Sequence, residues 1–211
     1  MTAGSEAPIS PISGPPMVLA SGSPRRVALV RDAGFEVVVQ PADIDDASIR
    51  LGRVHAADAA TALAYFKARR VVEQRRAAGE PPCWVLAADT VCERDGEILG
   101  KPVDRVHARE MIRSLADRGH GVVTGWCLLG PAGERRMGRD VAWIEIGTLP
   151  VDDFEHFLVE GKWEGKAGGY NLPEVVARGW PIVCRGDPET VVGLPIGRLK
   201  PIIERAWGAG R

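Results

Sequence analysis

Apolar residues along the chain fall into two patterns, short continuous runs and segments that repeat every three or four positions. The first pattern is typical of buried strands and the second of helices. Early strands are predicted at Met17–Ala20, Phe35–Val39 and Trp84–Ala88. Between the first two, Ser23 and Pro24 suit the start of a helix and Gly34 suits its end. A strand–helix–strand unit is therefore expected at the start of the fold.

The same two patterns continue to the end of the chain. Helices are predicted over residues 56–78, from Asp104 to near Gly119, over Asp152–Glu160 and over Ile196–Ala206. Strands are predicted over Val122–Leu129, Arg135–Ile146 and Ile182–Cys184, with a turn at Glu93–Glu97 and a glycine-rich loop at Gly161–Gly169. Strands that alternate with helices in this way favour an α/β fold with a mixed sheet.

Length and composition predict the domain organisation and the location. The 211 residues suit one large domain or two small lobes that share a core. Residues 1–16 are rich in Pro, Gly and Ser and are expected to form a disordered tail, which leaves 17–211 as the domain. No basic leader, signal sequence or membrane-length apolar run is evident. Cys83, Cys127 and Cys184 adjoin apolar residues, as buried thiols do, and we expect a cytoplasmic protein.

The charge balance narrows the range of partners. The chain has 27 basic and 28 acidic side chains, for a formal net charge of −1. General nucleic-acid-binding proteins usually have a basic excess, so that class is not expected. The histidines show neither HxxxH nor HExxH spacing, which argues against a zinc site. A local group of Lys and Arg can still bind phosphate within a balanced total.

The segment after the first strand, Ser21–Arg26, has the composition of a phosphate-binding turn. A helix N-terminus has unpaired N–H groups and a partial positive charge, so it attracts anions. The hydroxyls of Ser21 and Ser23 and the guanidinium groups of Arg25 and Arg26 add donors for phosphate oxygens. A capped helix with two solvated arginines would have the same sequence, and the residues alone leave both interpretations open.

Other candidate groups follow strands or lie in loops. Asp89 and Thr90 end a buried strand, where open α/β sheets bind ligands, although a structural cap is an equal alternative. Lys101 and Lys166 lie in loops with Pro and Gly, which are also common as plain surface turns. The acidic cluster that ends at Asp46 suits Mg²⁺, but a solvated acidic loop is the commoner case.

Eight short motifs make the chain similar to the Maf family of nucleoside triphosphate pyrophosphatases. They occur in the family's order: LASGSPRR at 19–26, PADIDD at 41–46, AYFKA at 64–68, AADTV at 87–91, ILGKPVD at 98–104, HGVVTG at 120–125, GKAGGY at 165–170 and VVGLPIGRL at 191–199. The resemblance covers about residues 17–207.

The resemblance implies hydrolysis of a nucleoside triphosphate to the monophosphate and pyrophosphate with a divalent cation, Mg²⁺ or Mn²⁺. It implies a mixed, elongated sheet forked around a central cleft and flanked by helices, as in inosine triphosphatases, and a homodimer as a common assembly. At matching positions Asp89 is the catalytic acidic residue, Asp46 and Asp89 lie at the metal, and Lys67 and Lys101 are motif lysines. The matching phosphate-binding turn contains Ser23, Arg25 and Arg26.

Departures from the family pattern leave the preferred base open. The dTTP/UTP branch reads Tyr-Gly-Ile-Gln-Gly where this chain has Tyr170–Glu174, and Pro173 replaces the glutamine associated with base selection. The segment Gly186–Thr190 looks more like the branch that acts on 7-methyl-GTP. The base preference therefore stays open between the two branches.

Two other functions compete with a house-cleaning pyrophosphatase. The related inosine triphosphatases normally have Thr-Gly-Asn where this chain has the Ser21–Arg26 turn. A nucleotide-binding regulator of cell division without turnover is the alternative from another class. If the enzyme hypothesis is right, we expect Asp89→Asn to abolish pyrophosphate release and to leave the thermal midpoint little changed.

Overall fold

Strands and helices alternate along the chain, as the sequence pattern predicted. The structure, a computed structural model, describes residues 12, 14–44, 54–116 and 118–208. The strands among these residues are β1 Met17–Leu19, β2 Val37–Val39, β3 Trp84–Arg94, β4 Glu97–Leu99, β5 Arg118–Leu129, β6 Arg135–Ile146 and β7 Ile182–Arg185. The helices are α1 Pro24–Asp32, α2 Ala56–Ala77, α3 Arg105–Leu115, α4 Val151–Val159, α5 Leu172–Ala177, α6 Pro188–Val192 and α7 Ile196–Gly208.

The strands form one mixed sheet that forks along one edge of β3. The order is β2-β1-β3-β5-β6-β7, with β1 parallel to its two neighbours and the other pairs antiparallel. On the edge of β3 away from β5, β1 pairs with Trp84–Leu86 and β4 pairs with Cys92–Arg94. No described strand pairs with residues 87–91 on that edge. The prediction of a mixed, forked α/β sheet is confirmed.

Helices cover both faces of the sheet. Side chains alternate along β3, so Ala87 and Asp89 point to one face while Ala88 and Thr90 point to the other. The long helix α2 packs its alanine-rich side on the first face. On the second face α1 and α7 build one apolar core, and α3, α4 and α5 build another at the far end of β3. Ala88 belongs to the former core and Cys92 to the latter, so Thr90 lies between the two.

Two sequence predictions in the middle of the chain need correction, and a third is confirmed. The helix capped by Asp104 ends at Leu115 rather than near Gly119, because Ala116 is extended and β5 begins at Arg118. The strand that starts at Trp84 continues to Arg94. The predicted turn is the tip of a hairpin between β3 and β4, and its two central residues have positive φ, 54° at Asp95 and 81° at Gly96. An Asp-Gly pair is a strong hairpin signal, so this strand pair was predictable.

Two short helices were missing from the sequence prediction. The side chain of Asn171 caps α5 by accepting a hydrogen bond from Glu174 N, and that of Asp187 caps α6 by accepting from Glu189 N. A proline lies in the first turn of each helix, where it is well tolerated. With six and five residues, they are too short to display a helical period. Their caps were the available signal.

The remaining general expectations concern membranes and thiols. Within the described ranges, no helix combines the length and the apolar character needed to cross a membrane. All four cysteines are free thiols. Cys92 and Cys127 are buried, whereas Cys83 and Cys184 are partly exposed. Burial raises the pKa of Cys92 and of Cys127 to about 12, so these two thiols stay protonated at neutral pH.

Close packing between α2 and the sheet leaves no space for a side chain at Gly125. A Cβ at this position would lie 2.3 Å from the carbonyl carbon of Ala60 and 2.3 Å from the nitrogen of Thr61. Because both atoms belong to a helix backbone, α2 would have to move. We expect Gly125→Ala to lower the free energy of unfolding by about 3 kcal/mol in urea titrations. Gly208→Ala is the matched control, since a Cβ there meets nothing within 4 Å, and equal stability of both variants would contradict this packing.

Candidate active site

A cleft of about 940 Å³ opens where the sheet forks. The predicted site residues that line it are Ser21, Ser23, Arg25, Arg26, Lys67, Asp89, Thr90, Lys101 and Lys166. These residues come from five separate parts of the chain, and the fold brings them together. Asp46 lies outside the described residues, and its predicted position near a metal stays a prediction. Asp43, from the same acidic cluster, lines the cleft.

Asp89 lies at the middle of the unpaired edge of β3 and is held there by Lys67. The Nζ atom of Lys67, on α2, is 2.5 Å from Oδ1 of Asp89. The two side chains are only 13% and 9% exposed. An ion pair this far from bulk water fixes both groups, because moving one away leaves the other charge poorly solvated. The carboxylate is thus presented to the cleft in a defined position.

Arg26 is fixed at the start of α1 by three neutral oxygen atoms. Its Nε donates to the carbonyl of Gly193 at 2.7 Å, and its two terminal nitrogens donate to Oγ of Ser21 at 3.4 Å and to Oγ1 of Thr90 at 3.0 Å. Together these three hydrogen bonds orient the guanidinium group. The turn before α1 therefore places a preorganised cation at the cleft, and is not merely a capped helix.

Arg25 and Ser23 add donors at the same turn. Ser23 stands at the N-cap position of α1, but its side chain makes no capping bond. The Nε atom of Arg25 is buried and has no hydrogen-bond partner in the part of the chain that the structure describes. A buried N–H without a partner is unfavourable, and an anion in the cleft would satisfy it. Both arginines are partly buried rather than fully exposed.

The loops that contain Lys101 and Lys166 are joined to each other. Gly168 N donates to the carbonyl of Gly100 at 3.2 Å. Lys166 pairs with Glu174, Nζ to Oε2 at 2.7 Å, and also donates to the carbonyl of Lys162. Burial alone would raise the pKa of Glu174, but the hydrogen bond and the charge of Lys166 lower it. The charge of Lys166 is therefore shared with a carboxylate, and its predicted contact with phosphate stays a prediction.

Sequence reasoning missed the groups that support the cleft wall. Tyr170 lines the cleft, and its hydroxyl lies 2.7 Å from Nε2 of the fully buried His120. Burial, with a smaller effect of Arg94, lowers the pKa of His120 to about 4, and burial raises the pKa of Tyr170. Both side chains are therefore neutral at pH 7. Their contact supports the glycine-rich loop, which ends directly before Tyr170. The available signal was a polar residue on an otherwise apolar strand face, and the same signal applies to Thr124.

The carboxylates in the cleft suit a hard divalent cation. In the described ranges no group of three or more His, Cys, Asp or Glu side chains could hold a metal by itself. Mg²⁺ is commonly bound by one or two carboxylates together with substrate phosphates and water. Asp89 and Asp43 provide such oxygen atoms beside a site for anions. The donor set therefore fits a cation that arrives with a phosphorylated substrate.

Comparisons with known proteins show a family match and several similar proteins. The family model described as Maf-like protein matches residues 16–206. A dTTP/UTP pyrophosphatase of Salinibacter ruber is 41% identical over 187 residues, which cover 87% of this chain and 87% of that protein. A dTTP/UTP pyrophosphatase of Rhodopirellula baltica is 40% identical over 191 residues, which cover 89% and 81% of the two chains. A solved HAM1 protein of Coxiella burnetii is 16% identical with a TM-score of 0.41, covering 62% of this chain and 72% of its own.

The buried ion pair predicts a coupled stability effect, so we now expect Asp89→Asn to change stability as well as activity. We expect Lys67→Met and Asp89→Asn each to lower the free energy of unfolding by about 2–3 kcal/mol, because each removes the buried ion pair between these two side chains. The double variant should lose less than the sum. Arg69→Met on the same helix breaks the exposed pair with Glu73 and should change stability by less than about 1 kcal/mol. Additive losses in urea titrations would contradict the pairing.

The neutral state of His120 predicts a pH-dependent stability. The histidine has a pKa of about 4 when folded and an ordinary value of 6.5, so between these pH values only the unfolded chain binds the proton. Stability from this group is complete above pH 6.5 and falls as the pH drops towards 4, by about 1 kcal/mol per pH unit. His120→Asn should flatten this slope in urea titrations at several pH values. A slope equal to that of the wild type would exclude His120 as its source.

Proposed function

The chain belongs to the Maf-like protein family, and we propose that it is a nucleoside triphosphate pyrophosphatase. The enzyme hydrolyses the bond between the α- and β-phosphates and releases the nucleoside monophosphate and pyrophosphate. One observation carries the proposal: a preorganised carboxylate, Asp89, and a preorganised guanidinium, Arg26, line the same cleft. Hydrolysis of a polyanion needs both kinds of group, one for the water and the other for the leaving phosphates.

The basic residues of the cleft bind the triphosphate. Arg25 and Arg26 at the start of α1, with the hydroxyls of Ser21 and Ser23, offer hydrogen-bond donors to phosphate oxygens. Lys101 adds a further cation from the loop after β4, and Lys166 reaches the substrate only where Glu174 releases it. Negative charge accumulates on the pyrophosphate as it leaves, so fixed cations at this end stabilise the transition state more than the ground state.

Asp89 activates the attacking water. Its carboxylate accepts a proton as the water oxygen attacks the α-phosphorus, the bond from that phosphorus to the bridging oxygen breaks, and pyrophosphate leaves with the bond's electron pair. Lys67 holds Oδ1 of Asp89 at 2.5 Å and so keeps the carboxylate oriented during this step. Lys67 thus acts through Asp89, which refines its expected role as a phosphate-binding lysine.

A divalent cation, Mg²⁺ or Mn²⁺, fits beside these residues. Asp89 and Asp43 of the described chain, together with Asp46, would hold it. When bound, the cation supplies positive charge that offsets the phosphate oxygens. The surrounding Arg and Lys side chains keep the triphosphate extended toward Asp89.

dTTP and UTP are the substrates we propose, because the relatives from Salinibacter ruber and Rhodopirellula baltica are named dTTP/UTP pyrophosphatases. The chain departs from that branch after the glycine-rich loop. Pro173 lies in the first turn of α5 and has no side-chain hydrogen-bonding group, and the Asn171 oxygen is used to cap that helix. The amide nitrogen of Asn171, at the cleft wall, is the group that can donate to a base carbonyl.

The binding-only alternative, a regulator of cell division without turnover, is not favoured, because the relatives above are named as enzymes. We propose a cytoplasmic location, where nucleoside triphosphates are made and used, and a homodimer as the assembly. Gel filtration with light scattering tests the assembly, and a mass near one chain, 22.7 kDa, would exclude the dimer.

Asp89→Asn tests the catalytic role. We expect pyrophosphate release from dTTP with Mg²⁺ to fall by at least about 10²-fold, because the amide cannot accept the proton. The matched control is Asp58→Asn, an exposed acid on α2 that pairs with Arg139 and should leave turnover unchanged. Turnover retained in Asp89→Asn would exclude the role given to this residue.

A substrate panel tests the base preference and the function class. Pyrophosphate release is measured for dTTP, UTP, CTP, ATP, GTP and 7-methyl-GTP with Mg²⁺ and with Mn²⁺. We expect the highest kcat/KM for dTTP and UTP. A maximum for 7-methyl-GTP would contradict the proposed substrate but support the enzyme class. No release from any member would favour the binding-only alternative.

A further inference from the structure

Behind the cleft, hydrogen bonds connect Arg26 to residues that do not line it. A terminal nitrogen of Arg26 lies 3.0 Å from Oγ1 of Thr90, which lies 2.7 Å from Oγ1 of Thr124. Thr124 Oγ1 in turn donates to the carbonyl of Thr190 at 2.7 Å. Thr90 and Thr124 are directly opposite in the β3–β5 pair, so their side chains share one face of the sheet. Thr124 and Thr190 are fully buried.

The direction of every bond in this chain is determined. A carbonyl oxygen only accepts, so the single hydroxyl hydrogen of Thr124 points to Thr190. Thr90 must therefore donate its own hydrogen to Thr124. Arg26 has no acceptor, so it donates to Thr90. With its hydrogen engaged behind the cleft, Thr90 presents a lone pair to Arg26 and has no hydrogen left for a phosphate oxygen.

The last turn of α6 holds the same guanidinium group from a second side. Nε of Arg26 donates to the carbonyl of Gly193 at 2.7 Å. Gly193 has φ +122°, and a Cβ there would lie 3.2 Å from Nε of Arg26 and 3.3 Å from Oγ1 of Thr90. The hydroxyl of Thr190 donates to Asp140 at 2.5 Å and takes no part in the bonds that lead to Arg26. Arg26 is thus held by one direct bond to Gly193, the C-cap of α6, and by the threonine chain that ends at the backbone carbonyl of Thr190.

We propose that Thr124 is a positioning residue of the pyrophosphatase, which holds Arg26 in place through Thr90. The proposal rests on the proposed function, since Arg26 is taken to stabilise the leaving pyrophosphate. Thr124 cannot touch the substrate, because it is fully buried behind Thr90. Without its hydroxyl, the hydrogen of Thr90 loses its acceptor and can rotate towards Arg26. The guanidinium then loses the lone pair that orients it.

The test compares Thr124→Val with Thr124→Ser. Valine has nearly the shape of threonine but no hydroxyl, and we expect it to lower kcat/KM for the triphosphate about 10- to 100-fold, mainly through kcat. Serine keeps the hydroxyl and should stay within about threefold of the wild type. Binding of inorganic pyrophosphate, measured by calorimetry, should weaken about tenfold in Thr124→Val and recover in Thr124→Ser.

Thr190→Val is the matched control for loss of a buried hydroxyl. Its hydroxyl donates to Asp140, while the carbonyl that ends the chain to Arg26 belongs to the backbone and is retained. We expect Thr190→Val to lose stability and to keep kcat/KM within about threefold. If Thr124→Val does not fold, Thr90→Val interrupts the same chain one hydroxyl nearer to Arg26 and is expected to give the same loss.

An Arg26→Ala background distinguishes positioning from general damage. If Thr124 acts through Arg26, Thr124→Val should change the residual kcat/KM by less than about threefold in that background. The same fold loss in both backgrounds, a wild-type kcat/KM in Thr124→Val, or an equal loss in Thr190→Val would overturn the proposal. Failure of the proposed function is distinguishable, because the wild-type protein would then release no pyrophosphate from any nucleotide.

Discussion

The unpaired edge of β3 is the constraint on which the site depends. β1 is short and its pairing with β3 ends at Leu86, whereas the pairing of β4 with β3 begins at Cys92. Between these two points, Asp89, Thr90 and Val91 line the cleft. Because side chains alternate along a strand, Asp89 and Thr90 point to opposite faces of the sheet. Two consecutive residues can therefore contact the helices on both faces. α2 can then reach Asp89 from one face, while α1 reaches Thr90 from the other. A further strand paired with residues 87–91 would fill the opening between β1 and β4.

Much of the fold was predictable because its signals are local. The periodicity of α2 and the capping side chain of Asp104 produced helices at the expected places. The two helices that the prediction missed also have local signals, but these signals are weaker. Because α5 and α6 are shorter than two helical turns, only their capping residues indicate them in the sequence. The end of α3 was misplaced because the chain turns directly into β5 at Ala116, without the glycine stop that the prediction assumed.

The candidate site was predictable as a set of residues but not as a set of contacts. The strand-end position of Asp89 and the turn at Arg26 were visible in sequence, whereas the partners of both come from distant segments. Lys67 is 22 residues from Asp89, and Gly193 is 167 residues from Arg26. Only the family resemblance gave Lys67 a role. No role was predicted for Thr124, because the sequence does not show in which direction a buried threonine donates its hydrogen bond.

The cations of the cleft are fixed by contacts with the fold, which explains how a protein of net charge −1 can build a polyanion site. Lys67 and Lys166 each pair with a carboxylate, so their charges are largely compensated until a ligand rearranges them. Arg26 is fixed by a hydroxyl of Ser21, a hydroxyl of Thr90 and a carbonyl. These three hydrogen bonds remove much of the guanidinium group's freedom to move. A polyanion site needs cations in fixed positions rather than a basic excess over the whole chain, and the buried threonines and the end of α6 help to fix this one.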